Sequence, residues 1–389
     1  MEGNETLRWL QQGLGAIILM LVLLDVFLTV LYARIGSSVF SNRIAKLVWG
    51  LFRLISKLFG QRGSQGVLTF CGPAILITLL GFWSLSLTLG VALIIHPALG
   101  SAINNSNGDT PTDFITALYA AGNSISIVGA DDHTPQTNPY RLFYIFTSLV
   151  GMSVTSLTLT YLMQVYNALQ RRNANGLKSY LLGDETGDAA ELICGLGPEG
   201  KFDNGLDSLA EIATGLSQTK EAHHFYPVLF FFRFREPYYS VSKSLLTAFD
   251  TASLIKSALD DKEYSTVKES AVVAQLWRAA ILQVTSLENT FLPGGAPEGK
   301  KEPDAQTYDR WRRRYKAALK RFKEAGIKTI ADEQEGAERY VALRSRWEHH
   351  ITALAPVMAY RMEEIDPAGF NPESAEDRQE FRKRVYAFD

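Results

Sequence analysis

The sequence predicts an all-α membrane protein: three spanning helices, one short helix that enters the membrane and comes back, and a helical domain on the cytoplasmic side. Three observations lead there. Three apolar runs, Gly13 to Ala33, Val67 to Ile95 and Leu142 to Tyr166, reach the ~20 residues that a spanning helix needs. Charge is segregated, since the first 170 of 389 residues hold only 8 of the 39 Lys and Arg and 7 of the 41 Asp and Glu. Between the last two runs, finally, lies a stretch with a strong helix start and too few residues to cross.

The first run has a longer apolar core than a signal peptide, acidic residues Glu2 and Glu5 before it, and no small-residue cleavage pattern after it, so it reads as an uncleaved span. Orientation follows from the basic residues. Arg34, Arg43, Lys46, Arg53, Lys57 and Arg62 fall between the first two runs, with no acid from Arg34 to Gly108. That segment is expected on the cytoplasmic side, which puts the N-terminus and the loop from Pro97 to Pro139 outside and the chain after Gln170 inside. Within it, Ile44, Leu47, Val48, Leu51, Leu54, Ile55 and Leu58 share one side at helical spacing, opposite Lys46, Arg53 and Lys57. Such a helix lies in the inner headgroup layer or packs as a cuff on the protein's own helices. Asp25 stands out inside the first run, and an ionisable residue in a span is a functional candidate. With no basic residue in any run to pair with, it is expected protonated or bonded to Ser and Thr neighbours.

The outer loop carries the short helix. Thr110 serves as cap, Pro111 takes the first helical position and Asp113 sits near the positive end of the dipole, with Ala117, Leu118, Tyr119, Ala120 and Ala121 continuing the helix. Some 13 residues at 1.5 Å each reach about 20 Å, too short to cross. Non-helical backbone at that depth is tolerated only when buried in protein or lining a water-filled path, so the run that follows, Ser126-Ile127-Val128-Gly129-Ala130-Asp131-Asp132, is expected to line a pore. These residues resemble the pore-loop cation channels of the potassium-channel superfamily, the bacterial type with two helices around the pore loop, whose filter reads Thr-Thr-Val-Gly-Tyr-Gly-Asp. Ser126, Val128, Gly129 and Asp132 match or are conservative, and Gly151 falls near the place of the family's inner-helix hinge glycine.

The resemblance covers about Val67 to Gln170 and implies an outer helix, pore helix, filter and inner helix closed into a pore by four identical chains, with permeant cations (potassium, sodium and calcium) and the lipid bilayer as partners. The departures have chemical consequences. Ile127 removes the hydroxyl ring of the inner ion site, Ala130 removes the aromatic that braces the filter, and Asp131 replaces a glycine free to take positive φ. Weak selectivity among monovalent cations is expected, with Asp131 and Asp132 forming a carboxylate ring at the mouth; each is alternatively a solvated turn before Pro135. Thr155, Ser156 and Thr158 of the third span, with Ser153 and Thr160, either line a wet cavity or bond back into their own helix.

The domain reading is 1–34, first span; 35–66, amphipathic basic helix; 67–170, pore domain; 171–389, cytoplasmic helical domain. In the last, apolar spacing predicts helices near Leu206 to Leu216, Tyr239 to Leu259, Val267 to Phe291, Tyr308 to Ala325 and Ala337 to Leu354. Gly195-x-Gly197-x-x-Gly200 would suit a nucleotide-binding regulator only if a strand preceded it. His223 and His224 read as a surface pair rather than a metal site. Cys71 and Cys194 lie far apart and imply no disulfide, no catalytic or metal-ligand pattern is present, and the net charge of −2 argues against nucleic acid. No cofactor and no enzymatic activity are expected. The rival reading is a non-conducting, membrane-anchored signalling or scaffold protein with a degenerate pore loop.

Overall fold

The computed structural model of the chain describes residues 2–32, 34, 36, 38–59, 61–126, 132–292, 294–297 and 303–370. Among these the protein is all-α apart from one two-stranded sheet. The helices are α1 (Glu2–Val26), α2 (Ser41–Ser56), α3 (Gln61–Thr69), α4 (Cys71–Ile95), α5 (Phe114–Ile125), α6 (Asn138–Leu182), α7 (Ala189–Leu196), α8 (Asp203–Phe225), α9 (Val241–Ala258), α10 (Ser265–Lys268), α11 (Ala271–Phe291), α12 (Ala305–Glu324), α13 (Glu333–Arg344), α14 (Glu348–Val357), α15 (Met362–Ile365) and α16 (Pro367–Phe370). Three of them, with short extensions, are long and apolar enough to cross a membrane: Glu5–Leu31, Cys71–Ala98 and Asn138–Leu182. The chain divides into two units, 1–54 with 70–166 and 225–228, and 55–69 with 167–224 and 229–389.

In the first unit α1 and α4 cross at glycine. A Cβ on Gly90 would approach the Gly15 carbonyl, and one on Gly15 the Gly90 carbonyl, so the missing side chains let two apolar helices touch backbone to backbone where hydrophobic exclusion supplies no force. Leu19, Val22, Val26, Trp83, Leu87 and Val91 complete that seam and are buried. Polar bonds fix its ends. Near one end the Gln12 amide donates to the Ile94 carbonyl at 3.1 Å and to the Tyr140 hydroxyl at 3.0 Å, tying α1, α4 and α6 together. Near the other, Asp25 is fully buried and accepts from Ser41 Oγ at 2.5 Å and from Trp83 Nε1 at 2.8 Å. The expected hydroxyl partner is there, joined by an indole that spacing could not reveal.

The second unit is organised around α9, whose residues are almost all buried among α7, α11, α12, α13 and α14. Charged groups are buried with it. Arg344 is fully enclosed and donates to Glu348 Oε1 at 2.9 Å, to the Tyr340 hydroxyl at 2.7 Å and to Asp366, while Arg314 bridges Asp188 and Asp250. The expected helix over Ala337 to Leu354 is two helices, broken at Ser345–Trp347 between α13 and α14. The run HFYPVLFFFRF is neither α-helix nor strand over its core: Pro227–Phe231 is 3-10 helix, and Leu229 to Phe232 are buried.

The glycine motif does not meet the condition set for it, and one expectation for this unit is corrected. Gly195 lies inside helix α7 and Gly197 directly after it, so the glycine motif lacks the strand a dinucleotide turn requires; a Cβ at Gly197 would instead strike the Phe202 ring, and Gly200 has φ +77°, so Gly197 and Gly200 make the α7-to-α8 turn. His223 is no surface residue. It is buried, with Nδ1–H donating to the Thr219 carbonyl at 2.9 Å.

Candidate pore-loop site

The short helix is α5, 12 residues and so about 18 Å long. Its cap differs from the expected one. Asp113 caps it, accepting from the Ile115 and Thr116 amides at 2.9 and 3.0 Å, while the Thr110 hydroxyl accepts from the Asn105 amide at 2.8 Å. The carboxylate wins because it can take two amides and the Thr116 hydroxyl, at 2.7 Å, at once. Those bonds, the Thr116 hydroxyl foremost, hold the Asp113 carboxyl below the usual carboxylate range.

Helix α5 buries Ala117, Ala120, Ala121 and Ser124. Small residues let it sit close to its neighbours, and α6 matches them with a gap of its own: a Cβ on Gly151 would fall on the Ile125 carbonyl. Helix α6 runs unbroken from Asn138 to Leu182 through this glycine. Thr147 Oγ1 donates to the Tyr144 carbonyl at 3.0 Å and lies 3.4 Å from Ser124 Oγ, next to the same contact.

After Ile125 the backbone leaves the helix. Ser126 is extended, at φ −69° and ψ 144°, with its amide donating to the Gly122 carbonyl at 2.9 Å. Of the remaining residues expected in the filter, Ile127, Val128, Gly129, Ala130 and Asp131 lie outside the described residues. The chain is described again from Asp132, where an arrangement appears that the sequence did not suggest. Strands β1 (Ile103–Asn105) and β2 (His133–Pro135) pair antiparallel, Asn104 opposite Thr134, and so fasten the segment before α5 to the segment that begins at Asp132. Asp132 closes the end of this ladder. Its carbonyl accepts from the Ser106 amide and hydroxyl, both at 2.8 Å, and its exposed carboxylate accepts from the Asn107 side chain at 3.2 Å. His133 beside it is buried, edge-on to Tyr119 at 6.1 Å between centroids.

Two hydroxyls of α6 bond back into their own helix. Thr155 donates to the Gly151 carbonyl at 2.9 Å and Thr160 to the Ser156 carbonyl at 3.0 Å, each within its own helix. Thr155 and Ser156 nevertheless stay uncovered by the rest of the chain, and Thr158 is half-buried. Much of the apolar surface of α6 is uncovered as well, including Leu142, Ile145, Leu149, Met152, Leu159 and Met163.

Residues 75–168 match the ion-channel family. The match begins in α4 and ends in α6, so it takes in β1, α5, the stretch 126–132 and β2, and it supports an ion channel in a membrane. The chain also resembles the uncharacterized membrane protein YdjJ of Bacillus subtilis (strain 168), with 22% identity over 219 residues, which are 56% of this chain and 61% of that protein. No solved structure matches.

Proposed function

We propose that the protein is one subunit of a homotetrameric pore-loop channel that passes monovalent cations across the cell membrane, potassium-channel-like in layout and weakly selective. The observation that carries this reading is α5: a capped helix of 12 residues, too short to cross, that is seated by its small residues and ends in extended backbone at Ser126. The ion-channel match over 75–168 supports it. A single pore loop per chain needs four copies to close a path, and the uncovered apolar face of α6 is what such neighbours would cover.

In this reading Ser126 to Asp132 form the filter, with Asp131 and Asp132 as the outer carboxylate ring. Thr155, Ser156 and Thr158 face the cavity, and Gly151 serves the inner helix. The N-terminus is outside and residues 171–389 form a cytoplasmic domain. Purified protein in planar bilayers under bi-ionic potassium, sodium and calcium gradients tests the reading, with mass measurement in nanodiscs for the assembly. Cation currents with weak discrimination from a four-chain particle are expected. A four-chain particle that carries no current would overturn conduction and leave a membrane-anchored scaffold.

A further inference from the structure

Helix α2 has three faces. Ser41, Ala45 and Trp49 are buried, whereas Leu47, Leu51 and Leu54 are 72%, 54% and 63% exposed. At about 100° per residue the leucines fall opposite the buried face, and the exposed Arg43, Lys46 and Arg53 fall between the two. The helix connects two spans, so chain connectivity holds it at a membrane face. An apolar stripe flanked by cations, in a segment with no acid from Arg34 to Gly108, is complementary to an anionic leaflet: leucines among the acyl chains, cations at the phosphates.

The start of α2 is fastened to the outer helix through one carboxylate. Asp25 of α1 accepts from the Phe40 amide at 2.7 Å, from the Ser41 amide at 3.3 Å and from the Ser41 hydroxyl at 2.5 Å, all at the entry to α2. Its second oxygen also takes the indole N–H of Trp83 in α4. Around it the Phe40 ring packs on Phe82, 5.6 Å between centroids, and Thr29 Oγ1 donates to Ser41 Oγ at 3.2 Å. Any shift of α2 at the membrane surface therefore pulls on Asp25, and Asp25 holds the side chain of Trp83. We propose that α2 is a strap for anionic lipid and that Asp25 is the positioning residue that transmits its seating to α4. The lipid contact stands on its own; its effect on ion flow rests on the channel reading.

The test uses the full chain in vesicles of phosphatidylcholine, with and without phosphatidylglycerol. A nitroxide at Leu51→Cys reports depth, the native Cys71 and Cys194 being buried. With phosphatidylglycerol the label should be reached by oxygen and shielded from a water-soluble nickel relaxant. Replacing Arg43, Lys46 and Arg53 by Gln should remove the response, since three cations at a charged surface contribute about a hundredfold in preference. A label open to nickel, or shielded from both relaxants because a second copy or another protein covers the stripe, overturns the lipid contact.

The joint is read by hydrogen exchange of the α4 backbone around Trp83, which should be slower with phosphatidylglycerol. Asp25→Asn, and the milder Ser41→Ala, should abolish that difference while the Leu51 label keeps its depth. An unchanged lipid effect in both variants overturns the role of Asp25. None of these measurements requires ion flow, so they fail separately from the channel reading.

Discussion

The carbonyl of Ile125, the last residue of α5, occupies the place where a Cβ on Gly151 would stand. The glycine is thus a packing requirement at the end of α5, whatever bending it also permits. Gly151→Ala should destabilise by about 1–3 kcal/mol, the cost of overpacking a filled contact. Gly81 offers the control: it too lies within a spanning helix, but nothing stands within 4 Å of its added Cβ. Gly81→Ala should be neutral or slightly stabilising. Thermal unfolding of both variants in detergent checks the pair, and equal behaviour would remove the contact argument.

His223 gives the second unit an acid limb. Burial first, and Arg172 second, lower its pKa from the ordinary 6.5 to about 4. The folded state therefore keeps the ring neutral while the unfolded state takes up a proton below 6.5, so stability falls as pH drops from about 6.5 to about 4. The full span amounts to about 3 kcal/mol. His223→Gln should flatten that limb relative to the native chain. Parallel melting curves between pH 7 and pH 4.5 measure the difference, and coincident slopes would refute it.

Arg344 is enclosed with Glu348, Asp366, Asp250 and Tyr340. Burial works against its charge, but Tyr340, Glu348 and Asp366 together hold its pKa well above the ordinary value. Removing one partner from a buried pair leaves the others uncompensated, so Arg344→Met should cost about 3–5 kcal/mol. Arg344→Lys keeps the charge but loses the planar fork that serves several acceptors, and should recover only part. Chemical denaturation of the full chain orders the three proteins; a methionine variant as stable as the native chain would show the network to be dispensable.

Particular residues show what sequence could and could not reveal. The spans were legible because hydropathy depends on composition alone, and the short helix because Thr110 to Asp113 all favour a helix start. The cap was misplaced by three residues because several side chains in one tetrapeptide can cap, and only geometry chooses among them. Strands β1 and β2 have three residues each, too few for any alternation to register. Helix α6 continues to Leu182, beyond the apolar run that ends at Tyr166, because a helix does not stop where hydropathy falls. Arg172 is in fact buried and donates to the Leu229 and Phe232 carbonyls at 2.9 and 3.1 Å. The partners of Asp25 lie 16 and 58 residues away and were beyond reach of any spacing rule.

The proposed topology is checked by cysteine labelling. Asp109 between β1 and α5 and Lys262 in the second unit are exposed, so in the proposed topology single cysteines at those positions should react from opposite sides of sealed vesicles. Gly176 is unsuited to this, because a Cβ there would meet the Tyr238 carbonyl. Labelling of both positions from one side would sink the three-span orientation.

Asp132 serves the fold mainly through its carbonyl, which holds Ser106, whereas its carboxylate makes one exposed bond to Asn107. An amide at this position keeps the backbone bonds, so Asp132→Asn should change stability by less than about 0.5 kcal/mol, as surface replacements do. Its charge is another matter. In a four-chain mouth Asp131 and Asp132 would bring up to eight carboxylates together and concentrate cations there. The field is screened over ~8 Å at physiological salt and reaches further in dilute buffer. The double replacement Asp131→Asn with Asp132→Asn should therefore lower cation conductance most at low ionic strength and weaken block by external divalent cations. Single-channel recording across a salt series reads both effects, and a double variant with native conductance, salt dependence and block would make the pair a solvated turn.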